Sequence, residues 1–181
     1  MKKILLIGCG HMGEALLSSW INSNKYSIKV IDPYKYKSLK QKYKSRNIKI
    51  LKSISALDKY LELDFIVVAT RGHRYDNTAL LAAANTSAKY VGLMGSKRKT
   101  ILIYEDLLRE NLSVERLREI RSPIGLDIKA RTPEEIAMSI MSEVLMFRLG
   151  GTGAPMKLEE KLLEKIIEKV STSTEKSVFS V

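Results

Sequence analysis

Several residue types are scarce in this 181-residue chain, which has one cysteine, two histidines, one tryptophan and four prolines. Their scarcity excludes several classes of protein. A single cysteine excludes an internal disulfide framework and fits a reducing compartment, so we predict a cytoplasmic protein. Cys9, His11 and His73 show no recognisable zinc-ligand spacing, and we predict no metal site. No apolar run approaches the roughly 20 residues that cross a bilayer, so we predict no membrane association.

Acidic residues are also in the minority, because 20 Asp and Glu stand against 31 Lys and Arg, for a formal net charge of +11. The excess is concentrated between residues 25 and 52, where Asp32 is the single acid. Such a field attracts phosphates, acidic proteins or nucleic acid. Because apolar residues interrupt the lysines and no aromatic stacking motif accompanies them, we interpret the segment as solvated surface. A basic adaptor for an acidic protein or nucleic acid stays a minor alternative.

A glycine motif lies near the start of the chain, where residues 8–13 read G-C-G-H-M-G. An apolar run precedes it and an amphipathic helical pattern follows it, which is the order that a dinucleotide-binding turn requires. The first glycine permits the tight turn, the second admits a pyrophosphate and the third allows close packing of helix and strand. The residues predicted to form this phosphate-binding turn are Gly8, Gly10, His11, Met12 and Gly13.

Asp32 completes the fingerprint, because it ends the next apolar run about 20 residues beyond the glycines. A carboxylate at this position binds a ribose hydroxyl. We therefore predict NAD or NADP as the cofactor. Asp32 favours NAD because it would repel a ribose 2′-phosphate, although the neighbouring Lys35 and Lys37 weaken that preference.

Short apolar runs alternate with helical patterns along residues 1–150. We predict strands at 2–7, 28–31, 48–51, 65–69 and 90–94, and helices at 14–21, 55–61, 77–84, 101–110, 113–119 and 136–148. This alternation is typical of the α/β class and predicts a Rossmann-like, doubly wound parallel sheet.

The glycine-rich stretch at 150–153 divides the chain in two. We predict a Rossmann-type nucleotide-binding domain at 1–150, followed by a C-terminal helical extension at 151–181 that consists of hinge, helix and tail. An apolar stripe on the helix at 157–170 predicts packing on the domain or on a second protomer, which makes a homodimer a candidate assembly.

A second group of candidate residues follows the later strands. Ligands of open parallel sheets bind beyond the carboxyl ends of the strands, and both Thr70-Arg71-Gly72-His73 and Gly95-Ser96-Lys97-Arg98 follow such ends. The second tetrapeptide is typical of an anion cradle, with a flexible backbone, a hydroxyl donor and cations. The cofactor-binding residues predicted here are Thr70, His73, Gly95, Ser96, Lys97 and Arg98.

Several uncommon motifs then occur in a fixed order. They are GHRYD at 72–76, YVGLMGSKRK at 90–99, SPIGLDI at 122–128 and ARTPEEIA at 130–137, together with the glycine turn at 8–13. In these motifs the chain resembles the Rossmann domain of the XdhC/CoxI family over residues 1–150.

The resemblance implies an accessory protein for the maturation of molybdenum hydroxylases of the xanthine dehydrogenase or carbon monoxide dehydrogenase type. Such proteins bind the molybdenum cofactor and help to deliver it to the apo-enzyme, which is the expected partner. Usual members carry a further N-terminal domain with a cysteine motif, whereas this sequence starts at the first Rossmann strand. We therefore expect a separate protein to supply that domain.

A second resemblance points to a different class of function. The segments 8–17 and 64–69 are similar to the start of pyrroline-5-carboxylate reductase. That family implies an NAD(P)-dependent oxidoreductase acting on a small imine. Its large helical dimerisation domain has no counterpart here, and residues 71–140 do not fit its pattern.

Overall fold

The computed structural model describes residues 1–21, 25–44, 46, 48–56 and 62–178, with the backbone alone at 73 and 171–178. Within these residues, five parallel strands form one sheet in the order β3-β2-β1-β4-β5. The strands are β1 (Lys2–Ile7), β2 (Tyr26–Ile31), β3 (Ile48–Leu51), β4 (Phe65–Val68) and β5 (Tyr90–Leu93). Near-continuous apolar side chains on the inner strands suit a parallel sheet that is covered on both faces. The predicted Rossmann-like α/β fold is confirmed.

Helices connect and cover the strands. They are α1 (His11–Ile21), α2 (Tyr36–Lys42), α3 (His73–Ala84), α4 (Lys97–Arg109), α5 (Val114–Glu119), α6 (Pro133–Leu149) and α7 (Glu160–Val178). Among the described residues, no helix combines the length and apolarity needed to cross a bilayer. The helix predicted at 55–61 falls mostly outside the described residues, and its described start forms a 3-10 turn at Ile54–Ala56.

Two hydrophobic clusters fill the two faces of the sheet. One face packs against α1 and α6, whose fully buried side chains include Leu16, Trp20 and Ile140. The other face packs against α3 and α4, which contribute Leu80 and Ile103. Because apolar helix stripes cover both faces, polar groups near the central strands are concentrated at the strand ends.

Several helices begin earlier than the sequence pattern predicts. Helix α1 begins at His11 rather than 14, because the carbonyl of Gly10 already accepts the N–H of Glu14. Helix α4 begins at Lys97 rather than 101, because the Ser96 side chain caps it by accepting the N–H of Lys99. The sequence analysis also missed α2, which buries Leu39 alone among its lysines. A lysine-rich helix with one apolar anchor has too weak a periodicity to be recognised.

The segment after α5 runs beside β5. Arg121 forms a parallel bridge with Gly92, and the Ser122–Pro123 peptide bond that follows is cis. The N–H of Ile124 then donates to the carbonyl of Leu93 at 3.0 Å. This ordered loop lies between the helices predicted at 113–119 and 136–148. It brings residues 122–128 to the carboxyl end of the sheet.

Contacts divide the chain into two units, Met1–Gly151 and Thr152–Val181. The second unit contains α7, on which Leu162 and Ile166 are 48% and 49% exposed. What this apolar stripe packs against, a homodimer partner included, stays a prediction.

Candidate functional site

The carboxyl ends of β1 and β4 flank the point where the strand order reverses, and two clefts open there. The larger cleft, of about 540 Å³, extends from the glycine turn to the ends of β2 and β3. The smaller cleft, of about 320 Å³, extends toward Met94 and α6. Gly10, His11, Thr70 and Arg71 line both, so the two clefts meet at the glycine turn.

The three motif glycines have different surroundings. Gly8 has φ +90°, and a Cβ there would lie 2.6 Å from the carbonyl oxygen of Ala69. A Cβ on Gly13 would overlap the carbonyl oxygen of Gly8. The three atoms nearest to a Cβ on Gly10 would all belong to the Arg71 side chain, with Nε at 3.5 Å, which is an ordinary van der Waals distance. Packing of the protein itself therefore requires glycine at positions 8 and 13, whereas the open side of Gly10 faces the clefts.

The Asp32 carboxylate braces the glycine turn. Its Oδ2 accepts the backbone N–H of Cys9 at 2.8 Å, and its Oδ1 accepts those of Tyr34 and Lys35 at 2.9 and 2.8 Å. The residue is 7% exposed and lines the larger cleft. Three amide donors thus hold one carboxylate between the first and second β–α turns, which fixes the shape of the cleft floor.

An ion pair between a buried carboxylate and a partly exposed lysine lies next to Thr70, which lines both clefts. Asp76 of α3 is fully buried, accepts a hydrogen bond from the Thr70 hydroxyl and pairs with the Lys99 ammonium of α4. The pair ties the end of β4 to the first turns of two helices. It also means that Lys99 and the Thr70 hydroxyl proton are engaged within the protein.

A buried carboxylate supports the wall of the smaller cleft. Glu143 of α6 accepts the Tyr90 hydroxyl at 2.8 Å and the N–H of Gly125 at 2.7 Å. Burial, followed by the charge of Glu143, raises the pKa of Tyr90. The bond to Gly125 secures the 122–128 loop, whose Ile124 lines the cleft beside Ile140 of α6.

The family model for the XdhC Rossmann domain matches residues 4–144, which is most of the chain and includes both clefts. The chain belongs to the XdhC Rossmann-domain family. The predicted resemblance is thereby confirmed.

Three curated relatives share part of this XdhC-type sequence. Uncharacterized protein YqeB of Escherichia coli (strain K12) is 28% identical over 159 residues, which are 85% of this chain and 29% of the relative. A protein of Bacillus subtilis (strain 168), named as a probable component of xanthine dehydrogenase, is 32% identical over 47% of this chain and 24% of its own length. The molybdenum cofactor insertion chaperone PaoD of Escherichia coli (strain K12) is 36% identical over 39% of this chain and 22% of its own length. The chain spans less than a third of the length of these relatives.

Solved structures support the fold. A Bacillus halodurans structure described as a xanthine dehydrogenase superposes with a TM-score of 0.66 at 24% identity, covering 82% of this chain and 45% of that one. HcgE from Methanothermobacter marburgensis, with guanylylpyridinol and ATP bound, superposes with a TM-score of 0.50 at 16% identity, covering 82% and 95%. At these identities the likeness shows the Rossmann-like architecture alone.

The XdhC-type structure brings most of the predicted site residues together, and their role as ligands stays a prediction. The residues that line one or both clefts are Gly8, Gly10, His11, Met12, Asp32, Thr70 and Gly95. Ser96 caps α4, while Lys97 and Arg98 are exposed on its first turn and line neither cleft. His73 begins α3, and its side chain lies outside the described part of the structure.

The sequence analysis missed a tyrosine pair at the larger cleft. The hydroxyls of Tyr34 and Tyr75 are 3.0 Å apart, and the rings meet edge to face with centroids at 6.5 Å. The hydrogen bond to Tyr75 raises the pKa of Tyr34. Both side chains are exposed and join the turn after β2 to the start of α3. Lys52, which directly follows β3 and lines the same cleft, was also missed. Its position after a strand end was the available signal.

Cys9 lies inside the turn and is fully buried. Burial, with the nearby charges of Glu14 and Asp32, raises the pKa of its thiol to about 12. The thiol is therefore protonated at neutral pH and acts as a small packing group. Among the described residues, no cluster of His, Cys, Asp and Glu is arranged to hold a metal ion.

Proposed function

We propose that this chain is the nucleotide-binding part of an accessory system that matures a molybdenum hydroxylase of the xanthine dehydrogenase or carbon monoxide dehydrogenase type. The membership in the XdhC Rossmann-domain family supports this class of function. The names of two relatives, a molybdenum cofactor insertion chaperone and a probable component of xanthine dehydrogenase, support the link to molybdenum enzymes. The proposed partner is the apo-enzyme.

The observation that carries the binding proposal is the open side of Gly10. Two of the three glycines are needed for packing, whereas Gly10 is open toward both clefts and lies beside the Arg71 guanidinium. A backbone without a side chain at a helix N-terminus, next to a cation, suits a phosphate group. NAD, NADP and the pterin phosphate of the molybdenum cofactor all carry phosphate groups, so the residues present fit either class of ligand.

Different residues bind different parts of the proposed ligand. Gly10, His11 and Arg71 hold the diphosphate or pterin phosphate where the two clefts meet. The start of α4, Ser96–Arg98, is a further anion-binding candidate outside the lining of both clefts, because Lys97 and Arg98 are exposed at a helix N-terminus. The molybdenum cofactor, when bound, supplies the oxo-transfer chemistry of the client enzyme. The role of this chain is to bind and orient it.

Native mass spectrometry of gently purified protein, with and without added NAD, NADP and molybdenum cofactor, tests the proposal. We expect retention of a mass of dinucleotide or pterin size. Gly10→Val should abolish it because the branched side chain fills the approach to the turn. Gly151→Val is the matched control, since a Cβ there meets nothing closer than 3.8 Å and the residue lines neither cleft. Retention by Gly10→Val equal to wild type would contradict the assignment.

An NAD(P)-dependent oxidoreductase resembling pyrroline-5-carboxylate reductase is the alternative function. It predicts steady oxidation of NADH or NADPH with a small imine, measured as loss of the absorbance of the reduced nicotinamide. The family match over residues 4–144 supports the accessory role over this one. Multiple turnovers in that assay would replace the proposal with the alternative.

A further inference from the structure

The larger cleft presents positive charge at two separate places. Arg71 lies at Gly10, where a diphosphate would approach the glycine turn. Lys52 lines the same cleft after the end of β3, the edge strand, with Lys35 after the end of β2, whereas Arg71 follows β4 on the other side of β1. A ligand with one diphosphate group would engage only the first of these points. Two separate anion points in one cleft indicate a ligand with two separate phosphate groups.

The second point is formed by neighbouring strands. Ile31 pairs with Leu51 in register, and the N–H of Asp32 donates to the carbonyl of Leu51 at 3.2 Å. Lys52 is therefore adjacent to Asp32 across the β2–β3 pair. Lys52 is exposed and forms no ion pair within the described residues. Its ammonium is available to an anion at the position where Rossmann folds hold the adenosine ribose.

The Asp32 carboxylate repels such an anion only weakly. Its two oxygens already accept three backbone N–H groups, and the residue is only 7% exposed. Hydrogen bonds from backbone amides offset the negative charge that the carboxylate presents to the cleft. Lys35 adds a cation nearby, although its Nζ lies 3.6 Å from Oε2 of Glu14 and is partly neutralised. The ribose end of the cleft is therefore dominated by Lys52.

We propose that the larger cleft selects a dinucleotide whose adenosine ribose carries a phosphomonoester, of the NADP type, over the unphosphorylated dinucleotide. Lys52 is the specificity-determining residue and Lys35 assists it. The inference rests on the proposed function, because it assumes that the glycine turn holds the diphosphate. It reverses the expectation from the sequence that Asp32 selects NAD, because that expectation treated the carboxylate as facing the ribose.

Calorimetric titration of the full chain with NADP and NAD at one fixed salt concentration tests the proposal. We expect NADP to bind at least about tenfold more tightly, since a charge-assisted contact contributes on the order of one such factor. Lys52→Ala should weaken NADP about tenfold and leave NAD unchanged. Lys49→Ala is the matched control, because Lys49 is exposed on β3 and lies outside the cleft lining. It should leave both affinities unchanged.

The outcomes separate this inference from the proposed function. Equal affinities for NADP and NAD would overturn the selectivity while leaving the glycine site in place. Equal losses of NADP affinity in Lys52→Ala and Lys49→Ala would show a general charge effect and would also overturn it. A chain that binds neither dinucleotide would refute the dinucleotide site itself, and the inference with it. Titration with 2′,5′-ADP and 5′-AMP isolates the contribution of the phosphomonoester from that of the nicotinamide half.

Discussion

The three glycines of the turn should separate into two classes when each is changed to alanine. At Gly8 the left-handed φ of +90° and the contact with Ala69 both oppose a side chain. The first effect costs roughly 1–2 kcal/mol and the second about 1–3 kcal/mol, so Gly8→Ala should lose about 2–5 kcal/mol. Gly13→Ala should lose about 1–3 kcal/mol or more, because its Cβ overlaps a backbone carbonyl that cannot move aside.

Gly10→Ala should differ from wild type by less than about 1 kcal/mol. Alanine has fewer backbone conformations than glycine in the unfolded chain, which stabilises the folded protein by roughly 0.4–1 kcal/mol. Alanine is also a poorer N-cap residue for α1 than glycine, which costs a similar amount. Thermal unfolding followed by circular dichroism measures the difference, at about 2–4 °C per kcal/mol for a chain of this size. Equal melting temperatures for Gly10→Ala and Gly8→Ala would refute the reasoning. A Gly13→Ala variant that melts with the wild type would do the same.

Three further predictions concern buried polar groups. Cys9 in the folded protein should react slowly with iodoacetamide at mildly alkaline pH and quickly in guanidinium, and fast native labelling would contradict its burial. Because its pKa is about 12 when folded and near the ordinary 9.0 when unfolded, stability should fall as pH rises between those values. Asp76→Asn should lower the free energy of unfolding by about 2–4 kcal/mol, because it leaves Lys99 without its counter-ion. Urea titrations measure this change. A loss below about 1 kcal/mol would show that the ion pair contributes little to stability. Glu143→Leu should lower the free energy of unfolding by about 2–4 kcal/mol, because it leaves the buried Tyr90 hydroxyl without an acceptor. Glu143→Gln should lose less, because the amide oxygen is still an acceptor. Equal losses in the two variants would show that packing, and not the hydrogen bond, determines the effect.

The fold could be predicted from the sequence because its main determinants are local. Runs such as 65–69 are too short and too β-branched for helices, and the capping box at Thr132 with Pro133 marks the start of α6. The errors fall where a tertiary contact decides the boundary. Helix α2 is held by Leu39 against the core and by Lys42 and Tyr43 against Glu14, none of which leaves a period in the sequence.

The candidate site could be predicted only in part. Strand ends and glycine spacing indicated the edge of the sheet, because parallel strands bring their carboxyl ends together wherever they lie in the chain. The partners of each side chain could not be predicted in this way. Lys99, the next cation after Lys97 and Arg98, pairs with Asp76 from another helix. The Ser96 side chain caps α4, a contact that strand ends and glycine spacing do not reveal.

The sequence by itself determined the α/β class, the strand positions, the glycine turn and the family, because these depend on spacing and periodicity along the chain. Only the tertiary structure decided that Gly10 is open while Gly8 and Gly13 are packed, and that Asp32 faces backbone amides with Lys52 adjacent to it. The physical reason is that hydrogen bonding and charge compensation act between groups far apart in sequence. The strand order that brings them within a few ångströms is a property of the whole sheet.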